Sequence, residues 1–157
     1  MAVAVFQTSD IHGSVVFRQI KNGVSVNIEF SKLPTGRHGF HIHRGGDLRG
    51  DGCIGACDHW SLTNTHHGGA PHSDGERHTG DLGNIEGPAC THKYVLKGVK
   101  LDDIYGRSII IHADEDDLGR GSWPDSHTTG HSGARMGCAI IGRIVCDQRR
   151  TTRKKRT

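Results

Sequence analysis

Aromatic side chains are scarce in this 157-residue sequence, at 5%, and hydrophobic residues together reach only 33%. No stretch stays apolar for the roughly 20 residues that a membrane-spanning helix needs, so no membrane partner is expected. Long amphipathic helical patterns are missing as well. With 23 glycines, the balance favours short strands joined by many turns, and the expected fold class is all-β. Cysteine is sparse and odd in number, at five, with no paired metal-knuckle spacing beyond Cys53-x3-Cys57. That weakens a zinc knuckle and argues against a disulfide framework. The first ten residues lack a positively charged leader and run directly into strand-like alternation. A secretory signal is therefore not expected, and a cytoplasmic location is.

What the chain does have is histidine, thirteen of them. No ordinary core needs so many, and imidazole is the commonest protein ligand for metals, so metal chemistry is the working expectation. The formal charge is +3, but Arg149, Arg150, Arg153, Lys154, Lys155 and Arg156 crowd the last nine positions and leave 14 basic residues against 17 acidic ones elsewhere. The reading is one mildly acidic domain over 1–147 and a basic, disordered tail over 148–157. Such a tail is either a solvated end or a contact for polyanions or nucleic acid, with nuclear access as a consequence. A domain of this size buries roughly 68–70% of its unfolded surface, enough for a real core.

Runs rich in Val and Ile recur at 3–7, 14–20, 24–30, 39–43, 81–85, 93–97, 107–112 and 138–145. Several alternate with period two, and Asn22-Gly23 suits a tight hairpin turn between the second and third. Eight strands and no helix are expected. Two connections break the rhythm, about 37 residues over 44–80 and about 24 over 113–136. Loops beyond roughly 12–15 residues in a compact domain are usually functional or disordered, and most of the histidines lie in or beside these two.

Gly39-Phe-His-Ile-His43 places two histidines two apart on a strand, so both rings leave the same face and can meet one ion. Alone, His-x-His is a weak signal. His112 closes a run of three isoleucines, where a buried ring needs a partner; a hydrogen-bonded core histidine is the other reading. In the first long loop His59, His67, His78 and Asp81 offer three nitrogens and a carboxylate, a set that zinc accepts. Singly, each would more often be a surface polar group.

With these pieces in place, the chain resembles the Cu/Zn superoxide dismutases. The matching segments are Gly39-Phe-His-Ile-His43, His67-Gly-Gly69, Glu76-Arg-His-Thr-Gly-Asp-Leu-Gly-Asn84, Gly106-Arg-Ser-Ile-Ile-Ile-His112, Asp116-Asp-Leu-Gly119 and Gly133-Ala-Arg-Met-Gly-Cys138, in the family's order over about 2–146. The resemblance implies an eight-stranded Greek-key β-barrel or sandwich with two long functional loops. It implies copper on His41, His43, His59 and His112, and zinc on His59, His67, His78 and Asp81. His59 then bridges the two ions. It further implies that Asp116 orients ligands of both metals, that Arg135 guides the anionic substrate, that Thr129 narrows the channel, and that Cys53 and Cys138 form a disulfide. The implied activity is dismutation of superoxide to dioxygen and hydrogen peroxide. A copper-delivery chaperone is an implied partner, and so is a second copy of the chain, because relatives pair through an apolar patch in which Gly45 and Gly46 fall.

Cys57, Cys90 and Cys146 have no implied role and are expected to be buried free thiols. His38 resembles a structural histidine bonded to backbone; His12, His66, His72, His92, His127 and His131 match no ligand position and are expected at the surface. Two departures stand out. The segment 68–78 between zinc positions is longer than usual, and Thr128 stands where many relatives have a lysine. His127 or His131, when protonated, would be the compensating charge. A catalytically inactive copper- and zinc-binding or decoy protein is the alternative from a different functional class.

Overall fold

Alternation becomes architecture in the computed structural model, which describes residues 1–146. Nine strands are seen among them: β1 (Ala2–Gln7), β2 (His12–Ile20), β3 (Gly23–Lys32), β4 (Gly36–His43), β5 (Asp81–Gly87), β6 (Cys90–Lys97), β7 (Ser108–His112), β8 (Arg135–Ile140) and β9 (Gly142–Arg143). All neighbours pair antiparallel, in a five-stranded sheet of order β6-β3-β2-β1-β9 and a four-stranded sheet of order β5-β4-β7-β8. The result is a sandwich of two sheets and not a closed barrel. The basic tail over 148–157 lies outside the described residues.

The run expected as one final strand divides in two. The chain leaves the four-stranded sheet after Ile140 and joins the other beside β1, and the buried Ile141 is the crossing point. That turns eight expected strands into nine. The only helical pieces among the described residues are three short segments, Asp51–Ala56, Leu101–Asp103 and Ser126–Thr129. They sit in connections, where no apolar periodicity announces them. The β2–β3 hairpin closes through Lys21-Asn22, one residue earlier than the Asn22-Gly23 step, with Ile20 opposite Gly23. Gly23 is needed there, since a Cβ would lie 2.1 Å from the Leu96 carbonyl oxygen.

Strand parity decides what faces the core. Phe40 and Ile42 of β4 and Ile109 and Ile111 of β7 join the apolar cluster between the sheets, with Phe6, Phe17, Phe30, Leu82 and Leu96. Burying one such side chain stabilises by roughly 1.5–3 kcal/mol. The intervening residues, His41, His43 and His112, must therefore point to the outer face of the four-stranded sheet. They are nonetheless at most 4% exposed, because the two long loops cover that face.

Backbone bonds hold the loops there. Trp60 N–H donates to the Ile42 carbonyl, Gly80 N–H to the Trp60 carbonyl, and Ile42 N–H to the Gly80 carbonyl, at 2.7–2.8 Å. These bonds graft the first loop onto β4 beside the His43–His59 bridge. A disulfide between Cys53 and Cys138 ties the same loop to β8 across 85 residues. The second loop closes on itself through Ala113 to Ala134 and Asp117 to Gly130, and His67 N–H donates to the His127 carbonyl to join the loops.

Candidate metal centre

His41, His43, His59 and His112 converge under the loops, each offering a ring nitrogen within 4.8 Å of the others. β4 supplies two rings and β7 the third, while His59 arrives on the grafted loop. In every ring one nitrogen is occupied and the other is not. His41 Nε2–H donates to Asp116 Oδ2 at 2.7 Å, His43 Nδ1–H to the Cys57 carbonyl at 2.7 Å, and His112 Nδ1–H to the Gly133 carbonyl at 3.2 Å. His59 Nδ1 meets Asp81 Oδ1 at 2.9 Å. The atoms left without a partner are His41 Nδ1, His43 Nε2, His59 Nε2 and His112 Nε2. Each would cost about 1–3 kcal/mol if nothing met it, and four facing one point fit a cation that accepts imidazole. Burial, reinforced by the neighbouring rings, pushes His41 well below the ordinary imidazole value, His43 to about 2 and His112 to about 4. The rings are thus neutral at physiological pH, as ligands must be.

A second set surrounds Asp81. His59 Nδ1, His67 Nδ1 and His78 Nδ1 lie 2.9, 3.1 and 3.4 Å from its Oδ1, while Oδ2 accepts the backbone N–H of Gly68 and His78. Tight mutual distances also bring His41 near this group. Its Nε2 is taken by Asp116, however, and its free Nδ1 belongs to the first set; His78 Nδ1 is unpartnered and beside Asp81. Three nitrogens and one carboxylate are a donor set suited to zinc. Burial opposes charge on Asp81 but the three rings hold it well below the usual carboxylate range. Burial likewise opposes charge on His67, yet Asp116 and Asp81 together raise it to about 9. Without a cation, a proton takes the cation's place there.

Comparison with known proteins agrees with this chemistry. The profile of the family described as copper/zinc superoxide dismutase (SODC) matches residues 11–141. The chain is 42% identical over 148 residues to the superoxide dismutase [Cu-Zn] of Paramecium bursaria Chlorella virus 1, covering 90% of this chain and 77% of that one. It is 41% identical over 142 residues to the extracellular superoxide dismutase [Cu-Zn] of Caenorhabditis elegans, covering 87% and 63%. The crystal structure of the clock protein EA4 superposes with a TM-score of 0.77 at 36% identity, covering 91% of this chain and 94% of that one. The chain belongs to the copper/zinc superoxide dismutase family.

Within this dismutase scaffold Asp116 sits between the two sets. Its Oδ2 accepts from His41 and its Oδ1 from His67 Nε2–H at 2.8 Å, and its own backbone is clasped by the Asn84 side chain at 2.7 and 2.9 Å. A cavity of about 820 Å³ opens from His43, His59 and His112 to solvent, with Arg135, Thr128 and Thr129 in its wall. Arg135 donates to the carbonyls of Cys53 and Cys57 at 2.8 and 2.6 Å, which fixes the guanidinium at the inner end. Thr129 is held by Asp125, and His131 is tied to the same carboxylate at 2.7 Å and stacked on Trp123. His131 is therefore not the free compensating charge expected for Thr128, because Asp125 balances it. His38 bonds only backbone carbonyls, at 3.1 Å.

Residue type gave no warning of Cys57. Cys57 and Cys146 are exposed and not buried, and Cys90 is half-buried. Cys57 adopts φ 61°, and its carbonyl accepts from both His43 and Arg135. A backbone oxygen has no signature in a sequence. Asn84 lies inside a matching segment, and its grip on the Asp116 backbone has no signature in the sequence.

Proposed function

We propose that this chain dismutes superoxide to dioxygen and hydrogen peroxide, with copper on His41, His43, His59 and His112 and zinc on His59, His67, His78 and Asp81. The observation that carries the reading is the set of four unpartnered ring nitrogens at the closed end of a cavity guarded by a fixed arginine. Copper supplies one-electron redox chemistry when bound, and zinc supplies a fixed positive charge. Arg135 draws a small anion inward and holds it, since its guanidinium is tethered and need not reorganise. His59 faces both sets and can hold or release a proton at Nε2, the ring nitrogen that Asp81 does not engage. Thr128 and Thr129 limit what enters.

Two copies of the chain pair in this reading. Support comes from Val5, Ile54 and Ile140, which are large apolar side chains 48–67% exposed. Sedimentation of the metal-loaded protein measures the state directly, and a monomer at micromolar concentration rejects the pairing.

The test of function is superoxide decay by protein carrying one copper and one zinc per chain, beside Arg135→Ala. Fast decay that falls about tenfold or more in the variant is expected, within the roughly 10–10³ that steering contributes. No decay with both metals bound would point to a metal-binding role without catalysis.

A further inference from the structure

The cavity mouth carries two histidines that neither inner set uses. His66 precedes His67 on the first loop and His127 lies in the Ser126–Thr129 turn of the second; both are exposed and both line the same cavity as His43, His59 and His112. Their ring centroids are 5.7 Å apart with planes inclined by 54°. Ring pairs within the first set stand 4.0–6.4 Å apart, and those around Asp81 stand 5.1–5.8 Å apart. His66 and His127 are spaced as ligands of one ion are spaced in this protein.

That spacing is built in. The His67 N–H donates to the His127 carbonyl at 2.9 Å, so the two segments are stitched at the pair itself, and Asp116 anchors the His67 ring behind it. Other histidine contacts outside the inner sets differ in kind. His72 and His92 lie nearly parallel to Tyr94, at 18° and 8°, and His131 is engaged by Asp125 and Trp123.

We propose that His66 and His127 form a third, exchangeable metal site, a two-imidazole dock that receives a copper ion on its way to His41, His43, His59 and His112. Imidazole suits copper, and two donors satisfy copper(I), which accepts low coordination numbers. Four buried donors further in hold the ion more tightly than two exposed ones, so transfer runs inward. The intake role rests on the copper reading of the inner set; the binding of an ion by the pair does not.

Full-length protein already carrying one copper and one zinc is titrated with copper(I) in a weak ion buffer without oxygen, while bound metal is counted and histidine ring signals are followed by NMR. A third equivalent is expected, shifting the His66 and His127 signals. His66→Asn and His127→Asn should each weaken it at least about tenfold, the lower end of what losing even an outer partner costs a metal site. In a second measurement, zinc-loaded, copper-free protein receives limiting copper(I) and its copper content is read over time. The double variant should fill about tenfold more slowly and reach the same final content. No third equivalent, or equal binding in the double variant, overturns the site. A third equivalent with an unchanged filling rate overturns the intake role. An inner set that never fills in either protein overturns the copper reading itself, whatever the pair binds.

Discussion

Replacing Asp116 with Asn tests how one carboxylate serves two metal sites. An ionised carboxylate only accepts, so it can take the Nε2–H of both His41 and His67, at 2.7 and 2.8 Å, and thereby turn both Nδ1 atoms toward the ions. An amide has one oxygen and one NH₂, and whichever ring meets the NH₂ faces donor against donor. That ring escapes by moving its proton to Nδ1, the atom a metal needs. Such partners are worth about 10–100-fold in metal affinity, or about 1.4–2.8 kcal/mol. The loss should fall on the metal served by the ring that meets the NH₂, copper for His41 or zinc for His67. Competition with a chromophoric chelator at neutral pH measures both affinities in Asp116→Asn. Affinities for both metals within about twofold of the parent would refute the reasoning, since a lost hydrogen bond to a charged group costs more than that.

Opening the loop that the disulfide closes should cost the fold directly: for 85 residues the chain-entropy estimate is about 4.5 kcal/mol, so metal-free Cys53→Ser should unfold in much less urea than the parent, and an unchanged midpoint would contradict it. Acid should unfold the metal-free protein early. His112 and His43 titrate at about 4 and about 2 when folded but near 6.5 when unfolded, so their stability is intact above about pH 6.5 and is lost as pH falls toward 4, roughly 3 kcal/mol for His112 alone. His67 acts in the opposite sense: held to about 9 when folded, it stabilises fully below about pH 6.5 and loses that contribution as pH rises through 9. The stability of the metal-free protein, measured by denaturation across pH, should therefore be greatest near 6.5, and a profile flat from 4 to 9 would sink the assignment of these three rings. Bound metals should remove the fall above pH 6.5, because a ligating His67 carries no extra proton to lose, and should steepen the acid fall, because ligands released on unfolding take up protons.

The sequence was most legible where geometry is periodic. Period two on β4 separates Phe40 and Ile42 from His41 and His43, so the core and two ring positions follow from one pattern. The loop residues His59, His67, His78 and Asp81 have no period; their donor types mark them as a zinc-suited set, and the resemblance assigns them to one site. What brings them together is a ladder of backbone bonds through Trp60 and Gly80, made by groups that every residue carries. The same reason hid the Cys57 carbonyl and the crossing at Ile141. Residue identity announces side-chain chemistry; it is silent about which amide meets which carbonyl.

That silence matters most at Arg135. With Thr128 in the usual lysine position and His131 balanced by Asp125, the cavity wall holds one fixed cation beside Asp58 and Asp125. Attraction for an anion then depends less on total charge than on where that one guanidinium stands. Its place is set by the Cys53 and Cys57 carbonyls, and Cys53 is itself held by the bridge to Cys138, three residues beyond Arg135 on the same strand. The His43 ring shares the Cys57 carbonyl. One strained turn, with Cys57 at φ 61°, thus aligns a ring of the first set and the cation that serves it. The disulfide, the turn and the arginine act as a single positioning device, and loosening any one of them moves the guanidinium relative to His43 and His112, the rings its charge acts on.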